Sequence, residues 1–349
     1  MSHTQKRTSA RLILAFGLAA SSAPLLAVDY SWSAFGTAGY ARTDRSYAYE
    51  RFADRDGTFK RDSILGAQAT AEFGRQWSAT VQGTVAPSVS DDQKWDAELT
   101  WAFLSFRPAN DLLFRAGKLR MPMYLFSENK SVGVSYDVMH LPAEVYSTAP
   151  TTDFTGASFS KIWNAGPGEL ALEGYYGDTR LKTRKTTDAS GGQQSDLLKT
   201  HSRGAVVSYR LDENVYRLGM QRALISISGS GNGAAAGLSF GGVTSAAGSG
   251  VAPPAGEGGG LDGGQGGTAS GVDTRVYLLG IDQSLGNDFR LVAEYARRNA
   301  PGQVIPKNTQ GAYVTLLKRI GAWTPYVTAG RLLTDREARI SRNNSGSYD

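Results

Sequence analysis

Ser63-Ile-Leu-Gly-Ala-Gln-Ala-Thr-Ala-Glu-Phe73 alternates with a period of two. Leu65, Ala67, Ala69, Ala71 and Phe73 fall on one side of an extended chain, and Gly66, Gln68, Thr70 and Glu72 on the other. Successive side chains of a strand point to opposite faces, so this pattern reads as a strand with one apolar and one polar face. Gly74-Arg-Gln76 leaves room only for a turn. The pattern then resumes, with Trp77, Ala79, Val81, Gly83 and Val85 against Ser78, Thr80, Gln82 and Thr84. It returns a third time, with Trp95, Ala97, Leu99, Trp101 and Phe103 against Asp96, Glu98 and Thr100. Each run has the roughly 9–11 residues that a tilted strand needs to cross a hydrocarbon layer. Trp32, Tyr40, Phe73, Trp77 and Trp95 fall near run ends, where aromatic rings suit a lipid–water boundary.

Working outward, similar runs occur at Ser31–Asp44, Leu112–Leu119, Thr155–Trp163, Glu169–Arg180 and Ser202–Leu211. They continue at Val215–Ser228, Thr274–Leu285, Phe289–Arg298, Gly311–Ile320 and Thr324–Leu333, thirteen in all. Leu211-Asp-Glu-Asn214, Leu285-Gly-Asn-Asp288 and Gly321-Ala-Trp323 read as short hairpin turns. Residues 45–60, 181–200, 229–273 and 299–310 read as long connections. A soluble sandwich has turns of similar length at both ends, whereas here short and long connections alternate. The expected fold is all-β, an antiparallel transmembrane β-barrel. Single-chain bacterial barrels normally have an even strand count. Thirteen strands, and an ending Ser345-Gly-Ser-Tyr-Asp349 with no closing strand, lead us to expect about 16, with the last strands lacking here. A miscounted strand is the alternative.

The ends and the composition agree with export. Lys6, Arg7 and Arg11 precede the apolar run Leu12–Ala20, and Ser21–Ala27 offers small residues for cleavage. Residues 1–27 are read as a signal peptide and 28–349 as the barrel domain. A retained membrane anchor is the competing reading, but the apolar run is short for one. Of 37 basic residues three lie in the leader, so residues 28–349 hold 34 basic and 32 acidic residues, net +2. The formal net charge of +5 is therefore mostly export signal and gives no reason to expect nucleic acid as a partner. There is no cysteine, which excludes disulfides and thiolate metal sites.

Residues 111–155 carry the chemistry. Arg115-Ala-Gly-Lys-Leu-Arg-Met-Pro122 is followed by Ser127-Glu128, Val132-Gly133 and Pro142-Ala-Glu-Val-Tyr146. Over about 35 residues this resembles Gram-negative outer-membrane porins, the trimeric diffusion porins and their phosphate-selective-porin-like relatives. The resemblance implies a loop that folds inward after an early strand and narrows the pore. It also implies homotrimers set in outer-membrane lipid and lipopolysaccharide that pass small polar solutes or ions. The residues support a narrowing independently. Arg115, Lys118 and Arg120 would form a basic wall, and Glu128, Asp137, Glu144 and Asp153 an acidic loop, with a transverse field between them. The plainer reading is that these charges pair and pin the loop. Lys118 alternates with Arg115, so a bend or a position near the rim is needed to bring both to water.

Arg42, Arg210, Arg217, Arg222, Arg297, Lys318 and Arg331 also fall on expected strands. If they face the lumen, the channel mildly prefers anions. An enzyme is not expected. His3, His140 and His201 are the only histidines, no hydrolase, metal or cofactor motif occurs, and His201 and Ser202 would point to opposite faces. The Gly-rich stretch at 229–273 reads as an external loop; Gly258–Gly264 only loosely resembles a calcium-binding repeat. The main alternative to a pore is a non-conducting outer-membrane barrel with a structural or adhesion role.

Overall fold

The computed structural model describes residues 28–44, 53–88, 94–149, 152–182, 186–187, 193–194, 197–228, 272–300 and 308–334. The expected signal peptide, most of the Gly-rich stretch and the C-terminal residues lie outside the described residues. The described chain forms a 13-stranded antiparallel sheet in sequence order. Its strands are β1 (Val28–Thr37), β2 (Ile64–Phe73), β3 (Trp77–Pro87), β4 (Trp95–Ala109) and β5 (Leu112–Arg120). They continue with β6 (Asp153–Ala165), β7 (Gly168–Lys182), β8 (Leu197–Leu211) and β9 (Asn214–Ser228). The last four are β10 (Val272–Gly286), β11 (Phe289–Asn299), β12 (Thr309–Lys318) and β13 (Tyr326–Thr334). Every strand expected from the alternation is present. β1 starts earlier than expected and ends at Thr37, so Tyr40 and Arg42 lie beyond it.

Short connections gather at one end of the sheet and long ones at the other. Five of the six short ones hold a residue with positive φ, among them Gly74, Gly166, Asp212, Asn287 and Gly321, the conformation that lets a chain reverse within a few residues.

The face that was read as apolar points outward and stays uncovered, with one correction: a β-bulge opposite Gln82 and Gly83 shifts the alternation of β4, so Trp101 and Phe103, expected on that face, turn inward. Leu65, Val81, Leu99, Leu104, Phe114, Leu218, Met220, Leu279 and Val314 are each more than 40% exposed. At about 4.8 Å per strand, the thirteen strands spread this apolar surface over roughly 60 Å. A soluble monomer does not sustain so large an apolar face in water. The inner face of β2 and β3, joined by Thr100 of β4, is polar and internally bonded. Gln82 Nε2 donates to Gln68 Oε1 at 3.0 Å, Thr100 Oγ1 donates to Gln82 Oε1 at 3.0 Å, and the Thr70 and Thr80 hydroxyls meet at 3.2 Å.

The sheet curls around residues 121–149, which run inward from β5. An added Cβ on Gly133 would sit 3.0 Å from Thr37 Oγ1 of β1. Met139 N donates to Tyr326 Oη of β13 at 2.8 Å. Six residues of chain span at most about 22 Å, so the two edge strands stand no farther apart than such a span plus their own side chains. Among the described residues β1 and β13 are not paired with each other.

Candidate functional site: the inward segment and the lumenal wall

Residues 121–149 are held by packing as much as by charge. Met121, Met123, Tyr124, Leu141 and Val145 are 0–3% exposed. Met121, Met123, Tyr124 and Val145 share one cluster with Val206, Val276, Leu278, Val292, Tyr313 and Leu317 from the wall. The helical turn α1 (Ala143–Tyr146) lies directly on β12 and β13. It fits only because those strands carry glycine there: a Cβ on Gly311 would fall 1.6 Å from Glu144 O, and one on Gly330 2.9 Å from Glu144 Cδ. Gly280 on β10 similarly leaves room for Leu125, whose Cγ would lie 3.1 Å from an added Cβ.

Polar pins fix the rest. Glu294 of β11, 2% exposed, accepts from Leu125 N at 2.8 Å and from Tyr313 Oη at 2.7 Å. Arg217 Nη1 donates to Tyr124 O at 2.7 Å, and the Tyr124 and Thr148 hydroxyls meet at 2.8 Å. Burial pushes the Tyr124 phenol well above its ordinary value. Lys130 is also buried, and burial pushes its ammonium down to about 7 against the pull of the Asp153 carboxylate. Burial would raise the Asp62 carboxyl, but His140, 3.3 Å away, and Arg61 outweigh it and hold that group below the usual range.

The sequence-predicted site residues divide into two places. Arg115 Nη1 donates to Glu128 Oε1 at 3.1 Å, and the guanidinium lies 5.5 Å over the Phe103 ring. Arg120 Nη1 donates to Glu128 O at 3.2 Å and Nη2 to Ser131 Oγ at 2.9 Å, while its Nε stands 3.5 Å from Asp153 Oδ1. Lys118 Nζ lies 3.2 Å from Glu98 of β4. These groups share the β4–β6 side, where Trp101, Phe103, Arg115, Glu128, Ser158 and Glu173 line a recess beside the segment. Lys118 keeps strict alternation, in register with Ala102 and Thr155 and out of step with Arg115, and the residue before it, Gly117, is tightly enclosed. Its φ is +135°, and a Cβ there would meet Ala102 O at 2.2 Å, so no side chain fits. Pairing of β5 with β4 also stops at Lys118.

Asp137 and Glu144 do not join them. Asp137 accepts from Arg290 Nη1 of β11 at 2.9 Å, and Glu144 rests on β12 and β13. Asp153 opens β6 rather than lying in the loop. The acidic loop therefore faces the basic wall only through Glu128, with Asp153 beside it.

The basic residues on other strands require a correction. Arg210 and Arg217 lie on the inner face; Arg217 Nη2 stands 3.4 Å from Glu173, and Arg210 acts electrostatically on the same carboxylate. Arg222, Arg297, Lys318 and Arg331 share the outward face, paired in register with Arg275, Tyr277, Phe289 and Ala312. Arg42 lies outside the strands, its Nε donating to Arg55 O at 2.9 Å. The spacing held the warning, since Arg217 and Arg222 are five apart and cannot share a strand face. Arg290, Arg298 and Glu294 went unnoticed because the inner face of β10 to β12 mixes apolar and polar residues, and Lys130 because it lies on the segment, where no strand alternation applies. His201 pairs with Asp178 while its neighbour Ser202 is 1% exposed, so no nucleophile–base pair forms there. Among the described residues no cluster of metal-ligating side chains occurs.

No protein-family model and no curated protein matches the chain. Solved structures do resemble it. One is OmpT, an outer-membrane protein of Vibrio cholerae in a trimer form, with 11% identity over 88% of each chain and a TM-score of 0.40. Another is Salmonella typhi OmpF in complex with daunomycin, with 9% identity over 87% of this chain and 78% of that one and a TM-score of 0.44. The outer-membrane channel DcaP of Acinetobacter baumannii shows 12% identity over 87% and 90%, with a TM-score of 0.34.

Proposed function

We propose that this chain is an outer-membrane pore for passive diffusion of small polar solutes or ions, narrowed by residues 121–149. The observation that carries the reading is the pairing of an uncovered apolar outer face with a segment folded across the inner one. A strand sheet that is apolar outside and polar inside suits a barrel in lipid around a wet lumen. At the recess, Arg115 and Glu128 set opposite charges 3.1 Å apart on wall and segment, a local field that orients polar solutes. Two of the seven additional basic residues face inward, so the motive for anion preference falls away and weak selectivity is expected. A homotrimer is proposed with this reading and is tested by the mass of the folded protein in detergent.

The tight apolar seat of the segment supports a second reading, a non-conducting barrel with a structural or adhesion role. Planar-bilayer recording of protein whose gel mobility is heat-modifiable separates the two. Stepwise ohmic currents support the pore; a folded, inserted barrel without current overturns it in favour of the second.

A further inference from the structure

The outward face carries one strongly charged feature that a pore does not need. Arg203 of β8 is paired in register with Arg222 of β9, and Arg222 with Arg275 of β10. Directly opposed strand residues have Cβ atoms about 4.5–5.5 Å apart, and like charges so placed repel. Tyr176, 63% exposed, flanks the row on β7, and the exposed Arg297 stands opposite Tyr277 one step away. Asp273 is the one carboxylate at the row among the described residues. It takes Arg222 Nε and Nη2 at 2.9 Å each, with Arg275 Nη2 at 4.0 Å. The neighbouring Asp178 is engaged with His201. Four guanidinium groups therefore meet one carboxylate, which Arg222 already engages with two nitrogens, and Lys199 and Arg180, paired further toward the long connections, add to the excess.

The height of the row matters as much as its charge. Arg222 lies eight residues from the start of β9 at the short-turn end, about 26 Å along the strand and about 20 Å along the barrel axis for the usual tilt. Met220 and Leu218, 55% and 58% exposed, lie below it on the same face. The row thus sits where the apolar band ends, on the side of the long, external connections. Basic groups there cost little, whereas at mid-membrane each would cost roughly 2–4 kcal/mol.

We propose that Arg203, Arg222 and Arg275 form a binding site on the outward face for the phosphate groups of lipopolysaccharide in the outer leaflet. Guanidinium forks match phosphate oxygens with paired hydrogen bonds, and the site offers several at one level. The exposed apolar residues below receive the acyl chains, and Tyr176 stands at the sugar level. The inference rests on the membrane reading above.

The test uses refolded full-length protein in detergent and titrates bisphosphorylated lipid A, dephosphorylated lipid A and inorganic phosphate, followed by native mass spectrometry and thermal shift. Wild type is expected to retain bisphosphorylated lipid A at least tenfold more tightly than the dephosphorylated form, with no shift from inorganic phosphate. The R203Q/R222Q/R275Q variant is expected to lose that difference. If the triple variant fails to fold, R275Q alone, at an exposed position, is expected to reduce it several-fold. Equal retention of both lipids by wild type, or an undiminished difference in the variants, overturns the site; a response to inorganic phosphate matching lipid A assigns it to free phosphate instead. Failure of the membrane reading would look different, as protein that does not insert into lipid at all.

Discussion

Replacing Gly311 by alanine tests how the inward segment is seated. The new Cβ would lie 1.6 Å from Glu144 O and 2.5 Å from Glu144 C. Both are backbone atoms, so no rotamer change relieves the overlap, and α1 must retreat by more than about 1 Å. Interiors packed to this density absorb such insertions at a cost of about 1–3 kcal/mol. Val145, 0% exposed, sits on the same turn and would be drawn from its cluster. Losing part of that burial adds up to about 1 kcal/mol per methylene uncovered. G311A is therefore expected to loosen residues 140–149 while leaving the sheet intact. The chain lacks native cysteine, so spin labels on M139C, exposed at the edge of these residues, and S284C report the distance from segment to β10 by pulsed electron resonance. A broadened or shifted distribution, with faster proteolysis at the segment and larger single-channel currents, is expected. An unchanged distribution with unchanged protease resistance would refute the claim that glycine at 311 is required for the seat.

Glu294→Ala removes the acceptor of Leu125 N and Tyr313 Oη; two buried donors lose their partner at about 1–3 kcal/mol each, so the heat-modifiability midpoint should fall by several degrees, whereas E294Q should fall less. Lys130, held down to about 7, binds fewer protons folded than unfolded between about pH 7 and its ordinary value of 10.5. Stability at this site is therefore lowest below pH 7 and rises as pH climbs toward 10. The gain from K130M over wild type, read from urea midpoints, should accordingly be largest at pH 6 and shrink by pH 10; a pH-independent gain would contradict the buried charge. Arg115→Ala breaks an ion pair that is 35% and 51% exposed, so little stability should change. Glu128 then loses its paired guanidinium, and reversal potentials in a salt gradient should move toward cations; a move toward anions would overturn the proposed field.

What could be read from the chain followed from where each strand face ends up. β2 and β3 have lipid-type residues on one side and Gln, Thr and Ser on the other, so period two is plain and their bounds nearly coincide with the expected ones. Around β10 to β12 the inner face mixes Val276, Leu278, Val292, Tyr313 and Leu317, packed against the inward segment, with Thr274, Asp282, Glu294 and Arg298. Alternation there fades, and with it the means of telling inward from outward basic residues by eye. In β1, the small residues after Thr37 continue a strand-like pattern although the chain has already left the sheet. Arg115 and Glu128 fell in the two groups expected to oppose each other, and only thirteen residues separate them. The partners of Asp137 and Glu144 lie on strands far along the chain, and no local pattern points to them.

That remoteness bears on the order of assembly. Leu125 and Glu294 are 169 residues apart in sequence, and Met139 and Tyr326 are 187 apart. A chain that pairs its strands in order reaches β5 and β6 long before the surfaces that hold residues 121–149 exist. Until β9 to β13 arrive, Met123 and Val145 lack Val276, Leu278, Val292, Tyr313 and Leu317, the larger part of their apolar partners in the wall, and closing loops of this length is slow. The segment therefore seats late, after most of the sheet. A refolding experiment should show strand content rising before protease protection at the segment, with the interval between them lengthened by G311A.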